Sequence, residues 1–378
     1  MDRKLNILFT GNTLGGGGAE RVLAIIASEL SKKGHTITII CGAREKEYPI
    51  ADGIKKLYFN DYVTYKNSHN RLAKLFEWIK NVRQTYQLYK RTIENSHIDV
   101  VVSFTRVGWI SLIPLCKIKR VPLIFSEHLT FHLIKEKKNI VDSIQKFFLK
   151  YADAVTILTK YDEKYLGKKL PKKVVMYNPL TYSPMTVDDY LLLFDKRNNL
   201  LACGRVCDWV HKGFDNLIRS YALIANKYPD WDLDIAGFGK QEDYDYLYSI
   251  ADEYNIRHRI HFLGFCSNIQ EIMKGHSIFV MSSRIEGFPM VLTEAMCMGM
   301  ASVCYDVITG PSEIISNGDD GIIVENQNIT ALAEGMEKLI KDRNLRMSLG
   351  LNAINNIKRL SPSLICEKWE CLFLKVIK

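Results

Sequence analysis

A strand–helix alternation that runs twice, with a break near residue 180, constrains this chain more than any other feature. Leu5-Asn-Ile-Leu-Phe9 reads as a buried strand and leads into Gly11-Asn-Thr-Leu-Gly-Gly-Gly-Gly18. A helix is predicted from Ala19 to Lys33, because Val22, Leu23, Ile26 and Leu30 share one face. Gly34 stops it, and Thr36–Ile40 is the next strand. Further strands are predicted at Val100–Phe104, Pro122–Ser126, Ala154–Leu158 and Val174–Tyr177, with helices at Arg71–Glu94 and Asn139–Tyr151. Asn178-Pro-Leu-Thr-Tyr-Ser-Pro184 then interrupts the pattern with two prolines. It resumes with strands at Leu200–Cys203, Trp231–Ala236, Ile260–Phe262, Ile278–Met281, Ala301–Tyr305 and Ile322–Val324, and a helix at Phe214–Lys227. An amphipathic helix carrying Trp369, Leu372, Phe373 and Val376 spans Pro362–Lys378. Alternation of this kind implies parallel sheets covered by helices on both faces. The expected architecture is therefore α/β, with two Rossmann-like doubly wound parallel-sheet domains facing a cleft. Such sheets bind ligands at the carboxyl ends of their strands.

Composition removes several other classes. With 47% hydrophobic and 25% charged residues in 378, the chain is neither disordered, collagen-like nor a disulfide-stapled miniprotein. No run approaches the ~20 apolar residues a spanning helix needs, and the N-terminal apolar stretch is too short for a signal peptide. Nine cysteines, an odd number without a Cys-x-x-Cys pair, suggest reduced thiols and a cytoplasmic setting. Cys203 and Cys207 lack the second pair that a zinc site would need. The formal charge of +9 points toward nucleic acid until it is divided. Residues 1–185 hold 31 Lys and Arg against 16 Asp and Glu, whereas the remainder is acidic, 20 against 26. A nucleic-acid module would spread its basic face more widely, so that partner is not expected.

Several residues fall where a doubly wound sheet does chemistry. Gly15–Gly18 lies between a strand and a helix N-terminus, where backbone amides approach an anion closely; a plain flexible turn is the alternative. The dinucleotide fingerprint requires an acid at the end of the second strand, and Cys41-Gly42 stands there instead. Gly204-Arg205 closes a strand and Lys212-Gly213 opens a helix, so Arg205 and Lys212 suit a diphosphate clamp, unless they are solvated surface charges. Glu286 lies in a loop ended by Pro289, and Glu294 lies about one turn into the helix beyond. Apolar neighbours oblige Glu294 to find a partner, either a ribose diol or an internal cation. His128, in Ser126-Glu127-His128, follows a strand directly and could serve a sugar or the core. Asp232-Leu-Asp234 has the form of a metal motif but sits inside a strand and reads as structural.

Taken in order, GGGGAERV at 15–22, Gly204-Arg205 with Lys212-Gly213, AGFG at 236–239, EGFPMVLTEAMCMG at 286–299 and TGPSEII at 309–315 resemble the family 4 retaining glycosyltransferases. The resemblance spans essentially the whole chain. It implies the GT-B fold, with an acceptor-binding domain at 1–178, joined by the returning helix 362–378, and a donor-binding domain at 179–361. It also implies roles. Arg205 and Lys212 would hold the donor diphosphate, Glu294 the ribose, and Glu286 the transferred sugar, assisted by the amides of Gly287, Phe288 and Pro289's turn. Phe265 would read the base through its backbone, and Gly237 would border the same site. Gly16, Gly17 and Gly18 would approach the diphosphate, and His128 would lie near the donor sugar. Met300 and Ala301 depart from the usual basic residue and proline. The family works without a metal or other cofactor, its donor being a co-substrate.

The implied reaction is transfer of a hexose or N-acetylhexosamine from a nucleotide sugar, UDP-linked by the look of TGPSEII and SEH, to a glycan acceptor with retained configuration. A sugar-nucleotide isomerase or epimerase of similar fold is the alternative. The basic half carries Arg71, Lys74, Lys80, Arg83, Lys90 and Arg91, then Lys117, Lys119 and Arg120, then Lys135, Lys137, Lys138 and Lys146. Apolar residues including Phe76, Trp78, Phe131 and Phe147 alternate with them. That pattern suits an anionic membrane surface, hence a lipid-diphosphate-linked acceptor and a peripheral place on the inner face of the cell membrane.

Overall fold

The protein, a computed structural model, is described for residues 3–42, 44, 46–61, 71–105, 108–128, 147–166, 172–196 and 198–377, with backbone alone at 60 and 71–75. It divides into two compact units, Met1–Thr181 with Pro362–Lys378, and Tyr182–Ser361.

The first unit is built on β1 (Asn6–Gly11), β2 (Thr36–Cys41), β3 (Lys55–Tyr58), β4 (Val100–Ser103), β5 (Leu123–Ser126), β6 (Ala154–Ile157) and β7 (Lys173–Val175). Their order across the sheet is β3-β2-β1-β4-β5-β6-β7, every pair parallel. Continuous apolar runs, not alternating ones, form the central strands: Ile7, Leu8 and Phe9 are wholly buried, as are Val100, Val101 and Val102. Helices cover both faces, so neither side of these strands is solvated. Helix Gly18–Lys32 buries Val22, Leu23, Ile26 and Leu30. β3 is a short edge strand whose Lys55 and Lys56 are exposed, a common way to blunt an edge against further pairing.

The second unit repeats the plan with β8 (Asn198–Cys203), β9 (Leu233–Ala236), β10 (Ile260–Gly264), β11 (His276–Met281), β12 (Ala301–Tyr305) and β13 (Ile322–Val324). Their order is β10-β9-β8-β11-β12-β13, again parallel throughout. In each sheet the chain winds outward from a central strand, returns, and winds the other way. The reversals fall between β1 and β4 and between β8 and β11. Asp232 and Asp234 are held by structure: Asp232 bonds Arg259 and His261, and Asp234 bonds His276 Nε2 at 2.7 Å.

Helix Pro362–Val376 belongs to the first unit although the second precedes it in sequence. Its apolar face, with Ile365, Cys366, Trp369 and Phe373, is buried, and Cys366 lies 3.8 Å from the Ile26 carbonyl. A polar clasp fixes its rotation. Leu5 N–H donates to His35 Nδ1 at 3.1 Å, so the ring proton lies on Nε2 and donates to Glu370 at 3.0 Å. Lys33 Nζ donates to the other Glu370 oxygen at 3.2 Å. Burial alone would raise the Glu370 carboxyl, but the hydrogen bonds from His35 and Lys33 outweigh it and hold the group below its ordinary value. Stability from a depressed carboxyl is present above the unfolded value, 4.5 for glutamate, and is lost as pH falls through the lower folded value. Glu370→Gln should therefore destabilise the first unit by about 1–3 kcal/mol at neutral pH. In thermal melting from pH 7 to pH 3 the gap between variant and parent should close below about pH 4.5; a gap constant with pH refutes the clasp.

Candidate functional site

Both sheet reversals open at the carboxyl ends of their strands, where a doubly wound sheet offers a crevice not filled by its own crossovers. In the second unit the crevice lies between the ends of β8 and β11. β8 runs into Gly204-Arg205, a short helix Trp209–Lys212, and then Gly213. Gly213 is left-handed, φ 65°, and a Cβ there would stand 2.0 Å from the Ser282 carbonyl oxygen. Only glycine lets the loop after β8 press against the loop after β11. Gly237 serves similarly at the next strand, since its Cβ would stand 1.6 Å from the Gly204 carbonyl oxygen.

This packing brings Lys212 to Glu286, with Nζ 2.8 Å from Oε1 and both side chains mostly buried. Arg205 differs: its side chain is 76% exposed and touches only Asp208, at 3.2 Å, among the described pairs. One cation is thus held in place and the other is free to swing. Glu286 is fixed in turn by its carbonyl, which accepts from Thr309 Oγ1. Gly287, Phe288 and Pro289 lead directly into helix Met290–Cys297, with Phe288 buried. A Cβ on Gly310 would stand 2.6 Å from Pro289 Cδ, so the 309–310 turn packs closely against this loop. Glu294, one turn into the helix, is 4% exposed. Burial pushes the Cys203 thiol well above its ordinary value, and the charge of Glu294 and the nearby Cys266 add to the rise. Glu294 thus lies within electrostatic reach of Cys203 at the end of β8, and Phe265, in the turn after β10, is 74% exposed.

Sequence reasoning missed two partners here. Asp208 accepts from Arg205. Arg284 forms a two-pronged bond to Asp215, each prong 2.8 Å. Burial raises the Asp215 carboxyl, but the Arg284 fork and charge overcome that and lower it. Arg284 and Asp215 are 69 residues apart and belong to no shared motif, so no spacing rule would have paired them.

In the first unit the reversal lies between β1 and β4. Thr10 Oγ1 donates to Ser103 Oγ at 2.9 Å, and Ser103 donates onward to the Thr105 carbonyl at 2.7 Å. Thr105 also donates to Asn12. These buried polar groups anchor the glycine loop. Gly16 is left-handed, φ 89°, with open space around it, and Gly17 N-caps the helix that Gly18 begins. The Glu20 carboxylate lies over Gly17, where a Cβ would meet Oε2 at 2.3 Å, so the helix N-terminus already has an anion beside it.

His128 lies just beyond β5. Thr156 donates to Ser126 Oγ at 2.9 Å, leaving the Ser126 proton for His128 Nε2, 3.0 Å away, and the ring proton for Nδ1. Burial pushes the His128 pKa down to about 4, against a weaker opposing effect from Asn178. The ring is neutral at physiological pH. It stacks on Phe104 at 4.7 Å, and Phe104 stacks on Trp369 of the C-terminal helix at 6.5 Å. The last helix of the chain thus reaches the His128 face through an aromatic ladder.

The basic surface is partly neutralised. Lys119 pairs with Glu94 and Lys117 with Asp153. Lys80 and Arg83 lie on helix Arg71–Asn95 near exposed Phe76, Trp78 and Ile79, and Lys90 and Arg91 lie about three turns further along it. Lys135, Lys137, Lys138 and Lys146, with Phe131, lie outside the described residues. No helix among the described residues is long and apolar enough to cross a membrane.

Comparison with known proteins identifies the family and the fold. Residues 16–180 match the family described as Glycosyltransferase Family 4, and residues 190–356 match Glycosyl transferases group 1. The chain is 29% identical to the amylovoran biosynthesis glycosyltransferase AmsD of Erwinia amylovora, over 97% of this chain and 98% of that one. It is 26% identical, over 98% and 99%, to the GalNAc-alpha-(1->4)-GalNAc-alpha-(1->3)-diNAcBac-PP-undecaprenol alpha-1,4-N-acetyl-D-galactosaminyltransferase of Campylobacter jejuni. Among solved structures it superposes on TarM with a TM-score of 0.80 at 14% identity, covering 98% and 99% of the two chains. It superposes on Anabaena Alr3699/HepE in complex with UDP and glucose with a TM-score of 0.76 at 19% identity, covering 98% and 99%. The chain belongs to the family 4 glycosyltransferases, has the GT-B fold, and is similar to enzymes of bacterial polysaccharide assembly.

Proposed function

We propose that this glycosyltransferase moves a hexose or N-acetylhexosamine from a UDP-sugar to a lipid-diphosphate-linked glycan, with retained configuration, at the inner face of the cell membrane. The observation that carries the reading is the Lys212–Glu286 pair at the crevice of the second sheet, 2.8 Å across, with exposed Arg205 and buried Glu294 beside it. Arg205 and Lys212 take the donor diphosphate, and their charge offsets what develops on the leaving group. Glu294 accepts from the ribose hydroxyls, and the Gly264–Cys266 turn, with Phe265 and Gly237, borders the base. Glu286 and the amides of Gly287 and Phe288, at the start of a helix, receive the sugar. Preorganised donors of this kind act where charge appears in the transition state. We assign Gly16, Gly17, Gly18 and neutral His128 to sugar and phosphate binding in the first unit. No metal or other cofactor is needed for these roles.

The lipid-linked acceptor is supported by relatives whose names specify it. Two further Campylobacter jejuni enzymes, 26% and 28% identical to this chain, carry diphospho-undecaprenol in theirs. The membrane face is supported by exposed Phe76, Trp78 and Ile79 beside Lys80 and Arg83 on helix Arg71–Asn95, and by Ile110 and Ile118 on the neighbouring helix Trp109–Lys119. Aromatic and aliphatic side chains next to cations suit an anionic interface.

Two measurements test this. With a panel of UDP-hexoses and UDP-N-acetylhexosamines and an undecaprenyl-diphosphate-linked acceptor, UDP should be released only when acceptor is present. Arg205→Ala and Lys212→Ala should each reduce kcat by about 10²–10³-fold; near-parental rates in either sink the assignment. Flotation with phosphatidylglycerol vesicles should capture the protein at low salt and release it at high salt, and Trp78→Ser should weaken capture. Absence from the vesicle fraction at low salt removes the membrane face from the proposal.

A further inference from the structure

Three consecutive carbonyl groups lead up to Lys212, and all three are fastened by one short segment after β11. Arg284 Nη1 donates to the Val210 carbonyl. Arg284 N–H donates to the His211 carbonyl at 2.8 Å. Ser282 Oγ donates to the Lys212 carbonyl at 2.9 Å. Helix Trp209–Lys212 is a single turn with no fully buried residue, too short to hold itself. Trp209 packs its first residue against the core and stacks on Tyr246 at 4.5 Å, which leaves the Lys212 end to be fixed otherwise. At that end the turn rests on these bonds and on the close seat of Gly213 against Ser282.

Arg284 is itself locked. Asp215 takes both prongs of its guanidinium at 2.8 Å, Gln327 accepts from its Nε at 3.3 Å, and Arg219 adds a second cation to Asp215 at 3.3 Å. A planar fork on a carboxylate fixes orientation as well as distance, which a lysine could not do. The Lys212 ammonium, at the far end of this frame, meets Glu286 two residues beyond Arg284 in sequence. One loop thus supplies both the partner of the cation and the ties that aim it.

We propose that Arg284, clamped by Asp215 and seconded by Ser282, is a positioning residue that sets the Lys212 ammonium for the donor diphosphate. The inference rests on the assignment of Lys212 to that diphosphate. Arg284 spends its fork inward, on Asp215 and a carbonyl, and acts on the donor only through Lys212.

A thermodynamic cycle tests it without an acceptor. The affinities of UDP and GDP, and of uridine and guanosine, are measured by calorimetry or ligand-observed NMR for the parent, Lys212→Ala, Arg284→Ala and the double variant. The better-bound nucleotide is then followed through the set. Arg284→Ala should weaken the diphosphate by about 10-fold or more, as loss of a charge-assisted hydrogen bond does, while its nucleoside binds as in the parent. The double variant should be no weaker than Lys212→Ala. Arg284→Lys, which keeps the charge but loses the fork, should recover part of the loss at most. Ser282→Ala, a milder change that leaves the Arg284–Asp215 fork in place, should lower diphosphate affinity in the same selective way.

Equal loss of nucleotide and nucleoside, or additive losses in the double variant, would overturn the positioning role, as would parental affinity in both Arg284→Ala and Ser282→Ala. Parental diphosphate affinity in Lys212→Ala would instead overturn the assignment of Lys212, and the inference with it. The two failures are therefore separately visible.

Discussion

A parallel strand cannot hydrogen-bond to its successor until the chain has crossed back over a face of the sheet, and this one requirement organises the molecule. It covers both faces with helices, which is why Val100–Val102 and Ile7–Phe9 are buried without alternation. It also sends every strand of a sheet the same way, so every loop leaving a carboxyl end lies along one edge. Where the winding reverses, no crossover fills the space beside the central strands. The Gly204–Gly213 and Ser282–Pro289 loops emerge at such a place, and Lys212 meets Glu286 although they are 74 residues apart.

Electrostatics at that edge follow from burial. Lys212 and Glu286 expose only 21% and 12% of their side chains, and a charge so enclosed is costly without a partner. Each therefore neutralises the other. Arg284 and Asp215, just as enclosed, do the same. Arg205, largely solvated, incurs no such cost and pairs only loosely with Asp208. The site is thus graded from a rigid ion pair, through a held cation, to a mobile one.

Much of this was legible in the sequence because the relevant signals are local. Apolar runs and glycine stops identified twelve of the strands, since a buried parallel strand needs a continuous hydrophobic stretch. β3 was missed because Lys55-Lys56-Leu57-Tyr58 carries an edge strand's polarity rather than a core strand's. Arg205, Lys212, Glu286 and Glu294 stood out by motif, and the last three are indeed drawn in around the end of β8. What could not be read was long-range pairing. Nothing in the spacing of Arg284 and Asp215, or of His35 and Glu370, 335 residues apart, announces that the fold will join them. The second case shows the physical reason. A carboxylate on an amphipathic helix looks like part of its solvated face until the surface that helix lands on is known.

The Arg284–Asp215 pair also explains why the chain can rely on so short a helix at its site. Trp209–Lys212 is too short to persist alone, and its one core anchor, Trp209, sits at the end away from Lys212, so the geometry of the Lys212 end must come from outside. Hydrogen bonds from Ser282 and Arg284 provide it, and these are fixed because the segment bearing them begins at the end of β11, a central strand buried along its whole length. Rigidity thus passes from the sheet core to one loop, and from that loop to a neighbouring turn. Lys212 keeps the flexible stem that lets an ammonium exchange one oxyanion for another, yet starts from a backbone held at three successive carbonyls. A cation carried on a longer, self-sufficient helix would be as rigid, but it would not move with the carboxylate it faces. Here the loop that bears Glu286 is also the one tied to the Lys212 backbone.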